Sequence, residues 1–367
     1  MSGAEREGDA GSRKRYFAAV ETGADVCYII KDYDKGSIST LPMEVKMVSE
    51  VMVSAYCLAY NHEKYIRDAL EGFVSQKTNF KYEVIVHDDA STDHTAEIIA
   101  EYAAKYPDII KPIYEEENQY SKGVNISKDI IFPHLSGKYI AICEGDDYWC
   151  DENKLQRQFD FLEAHPYYTA CVHNTRVIDY LVNWTGPMYE QERDKDLSFR
   201  EIANYGIAAF HISSILLHRE FYPVPEEISS KLFGDYPLSI YLRLNGKIWY
   251  MKDVMSVYRE NTAGSWTRRN RSDADKERLI SIQKQTADFT ESVYHYCVKT
   301  GAASDVLAAI KDVADRDRVQ EQVLRRGVLC LLTDQRKKFM GLSNEKKIHV
   351  LDMVWKQIKG KLGNGKK

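Results

Sequence analysis

Residues 138–149 read KYIAICEGDDYW and predict a strand that ends in a cluster of carboxylates. The apolar part of this stretch is rich in β-branched and aromatic side chains, which is typical of a buried strand. Glu144, Asp146 and Asp147 follow at its carboxyl end, the edge where ligands bind in open α/β sheets. Because neighbouring carboxylates repel one another, acids clustered at such an edge favour a bound cation. The alternative is a solvated acidic turn that holds no ion.

Strands and helices alternate on the amino-terminal side of this stretch. Residues 51–58 predict a first strand, followed by a helix with Asn61 as its N-cap, and residues 82–87 predict a second strand. The second strand also runs into paired acids, in the sequence DDASTD of residues 88–93. This alternation predicts a doubly wound, mostly parallel α/β sheet flanked by helices. Asp93 is interpreted as a helix cap rather than a ligand.

The remainder of the chain predicts further strands and then a run of helices. Residues 247–250 and 256–259 predict two more strands, and a helix that opens near Asp235 precedes them. From Ser272 onward the sequence has helical spacing without strand signals. The predicted organisation is a disordered segment 1–15, a small addition 16–50 of unknown role, an α/β domain 51–271 and a helical carboxyl-terminal region 272–367.

Length and composition limit the functional classes. The chain has 367 residues, of which 44% are hydrophobic, enough for a sizeable core. A net charge of −5 gives no basic field, so we expect no nucleic-acid partner. Seven cysteines without a CxxC pair predict reduced thiols, and the charged start of the chain carries no secretory signal. These features predict a cytoplasmic protein, soluble or peripheral on the inner face of the membrane.

The end of the chain is basic and amphipathic. Its apolar residues Ile348, Leu351, Trp355, Ile358 and Leu362 recur at helical spacing, with seven lysines around them against two acids. Such a tail is able to rest on an anionic membrane surface, which would give a peripheral membrane contact. The interpretation that we favour is a helix packed on the domain with its lysines in water.

Three segments taken in order resemble family 2 glycosyltransferases with the GT-A fold, bacterial polysaccharide-assembly enzymes especially. Residues 53–61 look like the family's first strand and nucleotide loop, and residues 84–93 are similar to its D-D-x-S-x-D turn. Residues 145–147 resemble a variant of its D-x-D metal motif. The resemblance covers about residues 51–269. The G-x-G-x-x-G and G-x-x-x-x-G-K-[ST] motifs of other nucleotide-binding proteins are absent from the sequence.

The resemblance implies a divalent ion, Mn²⁺ or Mg²⁺, at the acidic stretch. Asp147 would bind the ion directly and Glu144 would assist it, while Asp146 would contact the donor ribose or support the ligands of the ion. Such an ion stabilises the charge that develops on the departing diphosphate of a nucleotide sugar.

The resemblance also implies a nucleotide site at the ends of the first two strands. Tyr60 offers a ring that stacks on the base, and Asp89 accepts the imide N–H of uracil, a combination that favours UDP. Asn118 and Lys122 are placed to reach the base or the phosphates. The alternatives are a core aromatic for Tyr60 and a helix-capping acid for Asp89.

An inverting transfer needs one base that takes the proton from the acceptor hydroxyl. The resemblance points to Asp235, at a helix start after the metal motif, where Gly234 replaces the family's usual Glu. Helix capping is the alternative role, and the two are compatible. Arg259, Arg268 and Arg269 would clamp the diphosphate, the alternative being a solvated basic turn. His211 would line the acceptor side or lie in the core.

Together these features predict an inverting, metal-dependent glycosyltransferase. It would move a sugar from a nucleotide diphosphate sugar, in particular a UDP-sugar, to a hydroxyl of a glycan or lipid-linked saccharide acceptor. The alternatives are a nucleotide-sugar-binding scaffold subunit of a polysaccharide or capsule assembly complex, and a sugar nucleotidyltransferase. The sequence leaves the donor sugar, the acceptor and the oligomeric state open.

Overall fold

The chain forms two compact units, residues 1–49 and residues 50–367. The computed structural model describes residues 15–22, 25–32, 51–190, 192–205, 209–230, 232, 234–262, 265, 267–272, 275–327, 330–331, 333, 335–344 and 346–352. In the first unit, strands β1 (Arg15–Thr22) and β2 (Asp25–Asp32) pair antiparallel. The predicted disordered segment 1–15 lies outside the described residues except for Arg15, where β1 begins.

The second unit is built on a ten-stranded sheet with the order β10-β12-β8-β11-β6-β3-β4-β5, in which β7 pairs with β12 and β9 with β8. Its strands are β3 (Val51–Ala59), β4 (Lys81–Asp88), β5 (Ile110–Tyr114), β6 (Tyr139–Ile142), β7 (Tyr148–Trp149), β8 (Tyr168–Asp179), β9 (Trp184–Pro187), β10 (Lys195–Leu197), β11 (Leu216–His218) and β12 (Lys247–Glu260). Strands β6, β3, β4 and β5 run parallel, as do β8 and β12. Strand β11 is antiparallel to both of its neighbours, β6 and β8. The prediction of a mostly parallel α/β sheet is therefore confirmed.

Eight α-helices with defined ends accompany the sheet in the described part of the second unit, and residues 346–352 are helical as well. They are α1 (Ile66–Val74), α2 (Thr95–Lys105), α3 (Lys154–Ala164), α4 (Phe199–Tyr205), α5 (Asp235–Asn245), α6 (Lys276–Lys299), α7 (Ser304–Arg326) and α8 (Arg336–Gly341). Within the described residues, no helix combines the length and apolar character needed to cross a membrane.

Alternating side chains of the central strands bury into two separate cores. In β6, Ile140 and Ile142 enter one core, while Tyr139 and Ala141 enter the other. Since side chains alternate between the two faces of a strand, these cores lie on opposite faces of the sheet. The first core also takes apolar residues of α5, α6 and α7, and the second takes those of α1, α2 and α3. The carboxyl-terminal helices therefore share a core with the sheet.

Three local predictions differ from the structure. Asn61 is not an N-cap: α1 begins at Ile66, and Asn61 has a φ of 55° in the left-handed region. The two strands predicted at 247–250 and 256–259 form one strand, β12, whose irregular pairing with β8 accommodates the polar residues between them. Of the predicted tail, only residues up to 352 are described; there Ile348 and Leu351 are exposed.

Candidate active site

The acidic turn, residues 144–147, follows β6 at the carboxyl end of the parallel strands. Its three carboxylates each place an oxygen within 4.8 Å of the others. The turn is held tightly because the Gly145 N–H donates to Leu58 O at 2.9 Å. A Cβ at Gly145 would lie 2.8 Å from His62 Nδ1 and 3.1 Å from Leu58 O, so only glycine fits between the acids.

Asp147 is the most buried member of the acidic turn, with 1% of its side chain exposed. Its Oδ1 accepts the backbone N–H of Arg259 at 2.8 Å. Its Oδ2 is also buried and has no hydrogen-bond partner among the described residues. Burial, followed by the charge of Asp146, raises the pKa of Asp147 well above its usual range. The chemistry of such an oxygen fits that of a cation ligand.

Glu144 lies at the open side of the acidic turn. Water reaches part of the residue, while protein atoms crowd its carboxyl group. Burial and the charges of Asp146 and Asp235 raise the pKa of Glu144 to about 8. The structure therefore brings Asp235, which is 91 residues away in the sequence (235 − 144), close enough to act electrostatically on the acidic turn.

Asp235 is the first residue of α5, after Gly234. Its Oδ1 accepts the N–H of Tyr236 at 2.9 Å, a contact that helps to begin the helix. The predicted helix-start position is confirmed. The role of Asp235 as a base stays a prediction.

Arg259 organises the acidic turn from β12. Besides the N–H bond to Asp147, its guanidinium donates to Asp146 O at 2.8 Å and pairs with Asp68. It also lies over the ring of Tyr148, 4.6 Å from the centroid, and only 7% of its side chain is exposed. In the described residues the Arg259 guanidinium holds the acidic turn, and its role as a clamp on the diphosphate stays a prediction.

Arg268 lies in a short helical segment, Arg268–Ser272, beyond β12. Its backbone N–H donates to Ser265 Oγ at 3.3 Å, and its side chain is partly exposed. A clamping role for Arg268 stays a prediction.

The β4 turn, residues 88–93, is arranged differently from the acidic turn. Asp89 is buried, and its Oδ1 and Oδ2 accept the backbone N–H groups of Gln119 at 2.6 Å and Tyr120 at 3.1 Å. Asn118 Nδ2 donates to Asp89 O at 3.1 Å, so the two residues together shape the loop that follows β5. Each carboxylate oxygen retains a second lone pair, and recognition of uracil by Asp89 stays a prediction.

The other predicted nucleotide residues are on the surface near this turn. Tyr60 follows β3 with 44% of the residue exposed, so its interpretation as a core aromatic is wrong. Lys122 is half-exposed and pairs with Glu117. Asp93 precedes the N-cap residue His94 and accepts the Thr95 N–H at 3.0 Å at the start of α2, so it supports the helix start without being its N-cap.

His211, which was expected to line the acceptor side or to lie in the core, lies beside Asp147. Its ring stacks on Tyr258 with centroids 4.1 Å apart, and its Nε2 lies 3.7 Å from Asp147 Oδ2. Burial lowers the pKa of His211 to about 3, so this contact is not an ion pair at neutral pH. A histidine in an apolar run, residues 207–217, was the only sequence signal for it.

Comparisons with known proteins agree with this geometry. The profile of glycosyl transferase family 2 matches residues 54–222, from β3 through the acidic turn. Residues 54–222 belong to glycosyl transferase family 2. An uncharacterized protein of Mycobacterium tuberculosis is 36% identical over 217 residues, 58% of this chain and 60% of the relative. EpsE of Bacillus subtilis, which carries a provisional glycosyltransferase name, is 38% identical over 133 residues, 36% of this chain and 46% of its own.

The chain spans less than two thirds of the length of these curated relatives. A crystal structure of S. aureus TarS 1–349 in complex with UDP aligns with 84% of this chain and 92% of that chain, at 16% identity and a TM-score of 0.50. A likeness at that identity shows a shared fold, and the predicted GT-A α/β fold is confirmed.

Proposed function

We propose that the chain is an inverting, metal-dependent glycosyltransferase that moves a sugar from a UDP-sugar to a hydroxyl of a glycan or lipid-linked saccharide. The observation that carries the proposal is the acidic turn, whose three carboxylates converge within 4.8 Å. Asp235 lies near enough for its charge to raise the pKa of Glu144. A candidate metal site and a candidate base therefore lie near each other in a family 2 glycosyltransferase domain.

The residues of the acidic turn fit a hard divalent ion such as Mn²⁺ or Mg²⁺. Oxygen ligands suit these ions, and the buried Oδ2 of Asp147 has no other partner among the described residues. Asp147 would hold the ion with help from Glu144, and Asp146 would contact the ribose or support these ligands. When bound, the ion would neutralise charge on the departing diphosphate.

The nucleotide would lie across the ends of β3 and β4. The exposed ring of Tyr60 is available for stacking on the base, and Asp89, together with Asn118, shapes the neighbouring loop. Lys122 and Arg268 would approach the phosphates. UDP is our choice of nucleotide because a carboxylate such as Asp89 accepts an imide N–H, and because TarS, which shares the fold, binds UDP.

Asp235 would supply the base for a single displacement. Its carboxylate would take the proton of the acceptor hydroxyl while the acceptor oxygen attacks the anomeric carbon of the sugar. The bond from that carbon to the diphosphate breaks on the opposite side, which inverts the configuration. Because Glu144 and Asp235 repel each other, a cation at the acidic turn would also favour the ionised form that a base requires.

The experiment that tests the proposal is nucleotide release from a panel of UDP-, GDP- and dTDP-sugars, with Mn²⁺ and with EDTA. We expect slow hydrolysis of one UDP-sugar that EDTA abolishes and that Asp147→Asn lacks. If no sugar is hydrolysed, calorimetry with UDP and Mn²⁺ distinguishes an enzyme that needs its acceptor from a protein that does not use UDP-sugars. UDP binding would then indicate that the acceptor is required, whereas absence of UDP binding would contradict the proposal.

A further inference from the structure

We infer that His211 is a ligand of the divalent ion, together with Asp147. The inference rests on the proposed function in that it needs an ion at the acidic turn. It goes further because it adds a nitrogen donor from the segment before β11 (Leu216–His218) to a site otherwise made of carboxylates.

The two donor atoms are spaced for one ion. His211 Nε2 lies 3.7 Å from Asp147 Oδ2. Two atoms that each bind the same ion at about 2.1 Å lie about 3–4 Å apart. The Asp147 oxygen is buried and has no hydrogen-bond partner among the described residues. A cation between these two atoms would satisfy both.

Hydrogen bonding on the far side of the imidazole supports this arrangement. His211 Nδ1 lies 2.7 Å from Ser213 Oγ, and that hydroxyl donates to Ser256 Oγ at 2.9 Å. Because a hydroxyl has one hydrogen, Ser213 Oγ then accepts from Nδ1–H, which leaves the lone pair of Nε2 facing Asp147. A metal-bound histidine commonly donates its other N–H in this way.

One contact favours the other tautomer. The Ser213 backbone N–H lies 3.2 Å from His211 Nδ1, longer than the hydroxyl contact. If it donated there, Nε2 would carry the proton and donate toward Asp147 without an ion. We assign the tautomer with Nδ1–H for two reasons. The contact with the Ser213 hydroxyl is the shorter one, and the hydroxyl proton is already donated to Ser256 Oγ.

Both proposed ligands are held in place before an ion arrives. The imidazole stacks on Tyr258, with an angle of 25° between the rings. Asp147 is anchored through the Arg259 N–H. Fixing donor groups in advance reduces the conformational entropy that binding would otherwise cost.

A second histidine near the acidic turn provides a matched control. His62 Nδ1 is buried without a hydrogen-bond partner among the described residues, like the Asp147 oxygen. However, this nitrogen faces the backbone at Gly145, 2.8 Å from where a Cβ would stand. We therefore expect His62 to be a neighbour of the site and not a ligand.

The test is pulsed electron paramagnetic resonance on the full chain loaded with Mn²⁺ alone, which detects nitrogen bound to the ion. We expect nitrogen coupling in the wild type and in His62→Gln, and its loss in His211→Gln. Mn²⁺ affinity should fall about tenfold or more in His211→Gln. Losing a residue that only supports a metal ligand usually lowers affinity by that much, and losing a ligand should lower it at least as far. Labelling the wild type with ¹⁵N-histidine should change the coupling pattern, which tests the ligand without any substitution.

The outcomes separate the two proposals. Mn²⁺ that binds the wild type without nitrogen coupling, or coupling that survives in His211→Gln, would overturn the role of His211 and leave the metal site in place. Loss of coupling in His62→Gln alone would assign the nitrogen to His62 and also overturn it. Failure of the wild type to bind Mn²⁺ would instead contradict the metal dependence of the proposed function. If His211→Gln does not fold, the ¹⁵N-labelled wild type and His62→Gln still decide the question.

Discussion

The β4 turn and the acidic turn both place paired acids at the end of a parallel strand, but they use them differently. In the β4 turn, both oxygens of Asp89 accept backbone N–H groups, and Asp88 Oδ2 accepts the N–H of Ser91 at 3.1 Å. Of the four carboxylate oxygens of Asp88 and Asp89, Asp88 Oδ1 has no hydrogen-bond partner among the described residues. In the acidic turn, three carboxylates face one another, and the pKa values of Glu144 and Asp147 are raised.

This difference shows what separates a structural acid from a ligand. Backbone N–H groups favour the charged form of a carboxylate and fix the loop that supplies them. When carboxylates face one another with too few hydrogen-bond donors, their mutual repulsion destabilises their ionised forms. A bound cation would remove this repulsive free energy. The β4 turn therefore organises a loop, whereas the acidic turn fits the ion that we propose.

The largest effect that we expect comes from Asp235→Asn. Asparagine keeps the shape of the side chain and the contact with the Tyr236 N–H, but it cannot take a proton. Transfer should fall by about 10²–10⁴-fold, the usual contribution of a general base. Turnover of the identified donor and acceptor is the measurement, and calorimetric binding of UDP with Mn²⁺ is the control, which should stay unchanged. Near-normal turnover would mean that another group is the base.

Asp147→Asn should weaken Mn²⁺ binding by at least about 10–100-fold. That range is typical for the loss of a group that only supports a metal ligand, and Asp147 is proposed to bind the ion itself. Without metal the same variant should be more stable than the wild type at a pH where Asp147 is ionised, because a buried charge is removed while the Arg259 N–H keeps an acceptor. A gain of about 1 kcal/mol would raise the unfolding temperature by about 1–3 °C.

Thermal unfolding with and without Mn²⁺ measures both effects of Asp147→Asn. Saturating Mn²⁺, at about 100 times its dissociation constant, should stabilise the wild type by about 2.7 kcal/mol and the variant much less. The order of the two unfolding temperatures should therefore reverse when metal is added. A variant that is less stable than the wild type under both conditions would contradict the view that the acidic turn is strained without an ion.

The dependence of Mn²⁺ affinity on pH should be about tenfold per pH unit or less below pH 8. The pKa of Glu144 is raised from 4.5 to about 8, so an ion that binds this carboxylate must displace a proton at neutral pH. Affinity should therefore increase as the pH rises toward about 8 and then level off. Titrations of Glu144→Gln provide the control, since this variant should bind more weakly and with a flatter pH dependence.

The stability of the metal-free protein should change in the opposite direction. Glu144 holds its proton in the folded state up to about pH 8 but loses it near pH 4.5 when unfolded. The folded state therefore binds more protons between these values, and this contribution to stability is lost as the pH rises through the interval. Glu144→Gln should remove that part of the decline.

The sequence predicted the strands that carry both turns because those signals are local. Residues 138–149 contain the strand and its acids together, and the alternation of strands and helices determines the parallel sheet. The partners of the acids come from elsewhere in the chain. Gln119 lies 30 residues from Asp89, and Arg259 lies 112 residues from Asp147. Tertiary contacts therefore decide which carboxylate accepts hydrogen bonds from the backbone and which keeps an oxygen without a partner among the described residues. No local sequence pattern contains these contacts.

The same reason explains why the sequence did not place Arg259 and His211 beside Asp147. A basic loop after a strand is a reasonable place for a phosphate clamp, but β12 runs on unbroken to Glu260 and brings Arg259 under the acidic turn. His211 belongs to a segment whose position beside Asp147 follows from the antiparallel strand β11. The hydrophobic pattern of a sequence does not indicate whether a strand runs antiparallel to its neighbours, as β11 does.

The smallest effect that we expect comes from Asp89→Asn, which tests the structural use of the β4 turn. Asparagine offers one acceptor oxygen, so either the Gln119 or the Tyr120 N–H loses its partner and faces an amide donor instead. A buried N–H left without an acceptor costs about 1–3 kcal/mol, and we expect the lower half of that range because the loop is near the surface. Mn²⁺ affinity should stay within about twofold of the wild type, since distant, independent sites behave additively. Chemical unfolding and Mn²⁺ titration of this variant, measured beside Asp147→Asn, complete the comparison. If Asp89→Asn weakened metal binding as much as Asp147→Asn while leaving stability unchanged, the assignment of the two turns would have to be exchanged.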